Sequence, residues 1–414
     1  MKYSNFYWGA SVASHQVEGG MVNQWSEWEL KNANHLANAE HEDLRKLSNW
    51  KEIEDRVSSP ENYISGRGVD HYNRYEEDFD ILEKLNLNSF RFTIEWSRVQ
   101  PEEGKWDAAA LNHYKKYIKS LKSRGIEPFF NIWHWTVPLW FEKKGGFEKR
   151  ANLKYFAKFV EKISDELLDD IQFVITLNET NVYTTLSYFE GIWPPQKKNF
   201  LRTTSVYWNL MRAHKKAWNI IKEKHPDIQI GVAQQLVNIQ PARPDNILDE
   251  IVTRAIRYIW NWWWLNRISG YQDFIGFNYY FTNYYRGFKR INLAKPANDL
   301  GWYMNPQGIL PILQKLSTHY PGKPIIITEN GVADEKDEYR QWWIGETMKA
   351  IETAKAEGIN VRGYLHWSLL DNFEWAYGWW PKFGLVSVDR KNNMKREIKE
   401  SALWWANEVK KTLK

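Results

Sequence analysis

The 414-residue chain has no cysteine, which excludes disulfides, thiolate metal sites and cysteine nucleophiles together. No apolar run approaches the roughly 20 residues of a membrane span. The opening Met1-Lys2-Tyr3-Ser4-Asn5-Phe6-Tyr7-Trp8 lacks the apolar stretch and small-residue cleavage site of a leader. Charge of one sign is scarce: 56 Lys and Arg against 51 Asp and Glu leave a net +5. That excess is spread along the chain and favours neither nucleic acid nor an anionic membrane as partner. No repeat, low-complexity tract or Gly/Ser linker divides the sequence. The expectation is one cytoplasmic domain spanning residues 1–414.

Aromatic residues are abundant: 25 Trp, 22 Tyr and 19 Phe. They fill cores with large buried areas, and their flat faces also stack on sugar rings, so position has to choose between these uses.

An apolar strand-like run followed by an amphipathic helix recurs along the chain. Strands are predicted at Phe6–Ala13, Asn88–Trp96, Glu127–Trp135, Gln172–Glu179, Ile228–Gln235, Asp273–Tyr280, Pro324–Asn330 and Val361–Leu369. Most are continuous runs of Ile, Val, Phe and Tyr, as in parallel strands buried on both faces. Helices are predicted at Val69–Asn86, Ala109–Arg124, Leu153–Asp169, Ser205–Lys224, Leu248–Ile268, Gly308–His319, Tyr339–Glu357 and Arg396–Leu413. Eight such units in series predict an α/β fold, a single (β/α)₈ TIM barrel. A doubly wound sheet is disfavoured because no glycine-rich phosphate turn follows the first strand. Lys31–Gly68 reads as a long polar insertion at the catalytic face.

In a barrel, chemistry sits at the carboxyl ends of strands. Those ends carry Gln16, Glu18, Glu95, His134, Asn178-Glu179, Asn278-Tyr279-Tyr280, Glu329-Asn330 and Asp371 to Trp375. Glu179 and Glu329 each follow a strongly apolar approach, and a carboxylate placed so needs a partner or a chemical role. Two of them, with sugar-stacking aromatics and amide donors nearby, suggest glycoside hydrolysis. No His-Glu-x-x-His or Gly-x-Ser-x-Gly motif points to a zinc or serine hydrolase.

At this point the chain resembles glycoside hydrolase family 1, the retaining β-glycosidases. The resemblance is carried by Phe6-Tyr7-Trp8-Gly9-Ala10-Ser11 through His15-Gln16-Val17-Glu18-Gly19, by Ser89-Phe90-Arg91-Phe92-Thr93-Ile94-Glu95-Trp96-Ser97-Arg98, by Ile326-Ile327-Thr328-Glu329-Asn330-Gly331, and by Trp367-Ser368-Leu369-Leu370-Asp371-Asn372-Phe373-Glu374-Trp375. It implies Glu329 as nucleophile and Glu179 as general acid/base. Gln16, His134, Asn178 and Glu374 would hold the hydroxyls of the cleaved sugar, Trp367 and Trp375 would pack around it, and Trp302 would line the leaving-group side. Arg91, Asn278 and Tyr280 would lie beside the carboxylates. Neither metal nor cofactor is implied. The substrates would be non-phosphorylated β-glucosides, related β-glycosides or short oligosaccharides, since Glu374 as an anion would repel the phosphate of a 6-phosphoglycoside. A catalytically silent sugar-binding barrel, a 6-phospho-β-glycosidase and a transglycosidase are the competing readings. In retaining enzymes the carboxyls lie about 5–5.5 Å apart. At an effective dielectric near 20, two charges there repel by about 3 kcal/mol, so one carboxyl keeps its proton near neutral pH.

The sequence departs from the family pattern at Thr180 (usually Pro), Thr136 (usually Asp), Lys382 (often Arg), His15 (usually Tyr) and His366 (usually apolar). The largest departure lies between strands five and six. There Trp260-Asn261-Trp262-Trp263-Trp264 runs almost straight to Asp273, so a segment of the outer wall is expected to be missing. The Trp260–Trp264 cluster is expected either to cover strands five and six or to leave an apolar patch for self-association or a flat ligand.

Overall fold

The computed structural model describes residues 6–291 and 296–412. Eight parallel strands close into a barrel in sequential order: β1 (Tyr7–Ser11), β2 (Ser89–Thr93), β3 (Glu127–Asn131), β4 (Phe173–Asn178), β5 (Gln229–Gln235), β6 (Ile275–Tyr279), β7 (Ile325–Asn330) and β8 (Val361–Trp367), with β8 pairing back onto β1. Each lies within its predicted segment. The outer ring is α1 (His71–Lys84), α2 (Ala108–Ser123), α3 (Leu153–Leu167), α4 (Phe200–Lys224), α5 (Ile247–Arg257), α6 (Ile309–His319), α7 (Arg340–Ala356) and α8 (Glu400–Thr412). Among the described residues no helix is long and apolar enough to cross a membrane.

Alternation explains the two apolar layers. Phe129, Phe173, Ile175, Phe274, Ile326 and Leu365 fill the barrel interior, with Phe129 and Phe173 stacked at 4.5 Å. Their neighbours Val174, Phe277 and Ile327 face outward and pack under the helices. Above the interior plug, the mouth is left to polar side chains.

Three sequence expectations change. Lys395–Ile398 pairs antiparallel with Val386–Asp389 instead of opening the last helix. The reason is Arg396, whose guanidinium is committed to buried Asp78 at 2.9 and 3.1 Å. The polar insertion Lys31–Gly68 does lie at the mouth, but it is partly helical: it holds the end of the helix Gln24–Ala37 and the helix Trp50–Val57, whose Ile53 and Val57 pack in one cluster with Trp367 and Phe383. Beyond α5 the helix widens into a π-helical turn, Tyr258–Trp262, before continuing as Trp263–Arg267. The wider turn accommodates Asn261, whose amide bonds both the N–H and the C=O of Val237. Trp262 stacks on His319 at 4.5 Å, and Trp264 is fully buried. These side chains close over strands five and six where the chain is short.

Candidate active site

Glu179 and Glu329 reach the mouth through interruptions in strand pairing. In β7, simple alternation from inward Ile326 would send Glu329 outward. The register shifts between Ile327 and Glu329, so Glu329 lines the central cavity while Asn330 turns outward to accept from the Trp343 indole at 2.8 Å. In β4 the shift falls between Ile175 and Asn178. Thr176 then faces α4, bonded to His214 at 2.7 Å, while Asn178 faces the mouth. Bulges of this kind re-aim side chains next to active sites. Glu179 follows in the left-handed region at φ 42°, which keeps consecutive side chains on the same side. Trp135 and Trp375 share that backbone region at φ 73° and 50°. Each such non-glycine residue costs roughly 1–3 kcal/mol of strain, which the surrounding packing must over-determine.

Gly331 is required by close approach: a Cβ there would lie 1.8 Å from the carbonyl oxygen of Trp367, where the ends of β7 and β8 meet.

The two carboxyls have unequal neighbours. Glu329 is ion-paired to the buried Arg91 and accepts from the Tyr280 hydroxyl at 2.6 Å. Arg91 also donates to Thr328 O at 3.2 Å and Asn178 Oδ1 at 2.7 Å, tying three strand ends together. Glu179 accepts from the Asn278 amide at 2.8 Å, and that amide also reaches Asn178 at 3.2 Å. Burial pushes both carboxyls up. For Glu179 the charge of Glu329 adds to burial, and the pull of Asn278 and Arg91 is smaller. For Glu329 the Arg91 guanidinium and the Tyr280 hydroxyl oppose burial. The shared proton therefore rests on Glu179. Tyr280 is itself held well above the ordinary tyrosine range, chiefly by burial, and stays a donor.

On one side of this pair several hydrogen-bonding side chains gather. Asn178 spends its oxygen on Arg91 and Asn278, so its N–H₂ donates to His134 Nε2 at 3.0 Å. Burial holds His134 neutral, so Nδ1 carries the proton, and that donor has no partner among the described residues. Gln16 donates to Phe373 O and Glu374 Oε2 at 2.7 and 3.3 Å, and its oxygen has no partner among the described residues. Glu374 is pushed up to about 8, first by burial and then by the charge of Glu329. A carboxyl so placed is largely protonated at neutral pH, so phosphate repulsion by its charge carries less weight than expected. The stronger observation is that Arg290 is the one Lys or Arg lining the cavity among the described residues.

His134, Glu179, Tyr280, Trp302, Glu329, Trp367, Glu374 and Trp375 line a single cleft of about 370 Å³. Gln16, Arg91, Asn178 and Asn278 stand behind it, joined by the bonds above. Trp375 is wedged against Trp135 at 4.8 Å and stacked near-parallel with His15 at 5.5 Å. Glu18 and Glu95 are not brought in: Glu18 pairs with Arg98 and Tyr114, and Glu95 accepts from Ser14, Ser97 and Thr136. The opposite side is formed by Val182, Leu186, Val237, Ile239, Ile256 and Trp260, of which only Trp260 is singled out in the sequence, through its tryptophan cluster. The others lie between strands or just past their ends, where no motif marks them.

The model of Glycosyl hydrolase family 1 matches residues 3–270 and 264–413. The chain belongs to glycosyl hydrolase family 1. The two matched stretches of this family 1 chain meet at the short connection into β6, where the wall segment was expected to be missing. It is 32% identical to a β-glucosidase A of Acetivibrio thermocellus, covering 98% of this chain and 97% of that protein. Among solved structures it resembles a β-glycosidase from Pyrococcus horikoshii, with TM-score 0.86 and 32% identity over 99% of this chain and 95% of that one. A β-glucosidase from Thermotoga maritima in complex with glucoimidazole matches with TM-score 0.86 and 27% identity, covering 99% of each chain.

Proposed function

We propose that this family 1 protein is a retaining β-glycosidase acting on non-phosphorylated β-glucosides, one catalytic unit spanning the chain. The unequal surroundings of the two carboxyls carry the assignment. Glu329, held ionised by Arg91 and Tyr280, attacks the anomeric carbon. Glu179 gives its proton to the departing glycosidic oxygen as the C–O bond breaks. The ester formed on Glu329 is neutral, so Glu179 loses its reason to hold a proton and accepts one from water. The resulting hydroxide attacks the same carbon and returns Glu329 as carboxylate. His134 Nδ1, Gln16 Oε1 and Glu374 supply the donors and acceptors that vicinal hydroxyls need, with Trp367 and Trp375 against the ring. The relatives named β-glucosidases support the substrate class, as does a cleft whose one cationic side chain among the described residues is Arg290.

The test is Glu329→Ala. Hydrolysis of an aryl β-glucoside should fall by about 10⁴-fold or more, the scale of losing a covalent nucleophile. Added azide should restore turnover and give the α-glycosyl azide, identified by NMR. Rescue that gave the β-azide would remove Glu329 from this role.

A further inference from the structure

The outer faces of two barrel helices differ. In α3 the exposed positions are Lys154, Lys158, Glu161 and Asp165, all charged. In α5 they are Ile247, Leu248, Ile251, Arg254 and Ala255, and the stripe runs on through Tyr258 and Ile259 in the π-helical turn. Spacings of three and four residues put these on one face. Ile247, Ile251 and Ile259 are 76%, 60% and 62% exposed. The opposite face is already used: Asp249, Val252 and Thr253 are buried, and Ile256 lines the cleft. At one end of the stripe Leu248 lies beside Gly287, in the turn of the hairpin Thr282–Arg286 and Lys289–Ile291, and the Gly287 N–H donates to Asp249 at 2.7 Å. The next residue of that turn, Phe288, is 84% exposed. At the other end Ile259 shares a groove with Phe189 and Phe200, both more than half exposed. Taking about 200 Å² for each large side chain, these exposed fractions leave about 1,000 Å² of apolar surface in one band. A monomer rarely exposes more than a few hundred Å² so contiguously, and each partner of a stable dimer contributes about 800 Å².

We propose that this band is the interface of a homodimer, in which α5 packs antiparallel on α5 of a second copy of the chain. Charge selects that occupant. Glu250 and Arg254 stand one turn apart along the isoleucine stripe and pair with each other at 3.4 Å. A two-fold axis beside Ile251 brings Glu250 of each copy against Arg254 of the other, so the stripe is complementary to itself. The same acid and base cancel, which gives an anionic membrane no electrostatic pull on the stripe. The pairing covers the outer side of the helix and hairpin that give Ile256, Tyr285 and Arg290 to the cleft. It does not depend on the glycosidase reading.

Sedimentation velocity of the full chain at about 1–50 μM tests the proposal without any need of turnover. The wild type should be a dimer with a dissociation constant of about 10 μM or tighter. Ile251→Glu should be a monomer whose circular dichroism and melting point match the wild type, because the position is exposed, while Ile251→Val should remain a dimer. Glu250→Arg and Arg254→Glu each set like charges against one another across the axis, and each should dissociate about tenfold more readily than the wild type. Mixed one to one, these two variants should pair with each other about as tightly as the wild type does with itself, since each supplies the sign the other lacks. A wild type that is monomeric at about 50 μM overturns the proposal, as does a dimer that Ile251→Glu leaves intact. Charge variants that fail to pair when mixed remove the two-fold arrangement and overturn it too. A wild type that binds phosphatidylglycerol vesicles as a monomer would assign the band to lipid, with the same result.

Discussion

At the proposed sugar end of the cleft, Gln16, His134 and Glu374 come from segments at or just beyond strand ends and are locked by bonds to Phe373, Asn178 and Asn372. At the leaving-group end, Val182, Leu186, Ile256 and Trp260 come from helical turns between strands and present mostly apolar surface. The first end recognises by directed donors and acceptors, so a misplaced oxygen leaves a buried group unpaired. The second recognises by area, so it tolerates change. Specificity for the sugar should accordingly be steep, and specificity for the leaving group graded.

Substitutions can break that comparison. The largest effect is expected for Glu374→Ala, which should lower kcat/KM on aryl β-glucosides by about 10²- to 10³-fold, as for a polar contact strengthened in the transition state. A fall of the same size from Ile256→Ala would erase the distinction between the ends. Next comes Tyr280→Phe, measured as a pH profile of kcat/KM. Activity should fall as pH drops through the Glu329 titration and as it rises through that of Glu179. Removing the Tyr280 donor destabilises the Glu329 anion, so the acid limb should move up by about one unit. An unmoved acid limb would separate Tyr280 from the nucleophile. Ile256→Ala itself should raise KM by about two- to fivefold on aryl substrates with kcat little changed. The smallest effect concerns stability: Glu179→Gly should melt higher than Glu179→Ala, since glycine removes about 1 kcal/mol of left-handed strain. Equal melting points would mean that the backbone relaxes when the carboxylate is lost.

The same contrast explains what could be read beforehand. Strand positions and the residues at their ends were legible because hydrophobic runs locate strands and a barrel puts chemistry at their carboxyl ends. The outward turn of Asn330 was not, because period-two alternation cannot reveal the shift between Ile327 and Glu329. Arg396 looked helical because its buried partner, Asp78, is 318 residues away. Trp260 stood out by composition, yet its place in the wall of the cleft depends on a π-helical turn that hydrophobic periodicity does not encode.

β6 passes from Asn278, on Glu179, through Tyr280, on Glu329, into the hairpin Thr282–Arg286 and Lys289–Ile291, which borders the leaving-group end with Tyr285 and Arg290. Phe281 is the only residue between Tyr280 and that hairpin. In the proposed reaction a departing alcohol would pass along the same span whose Asn278 and Tyr280 hold the two carboxyls. Displacing its far end would reach Tyr280 through only a few peptide units, which would couple exit of the first product to the poise of the second step.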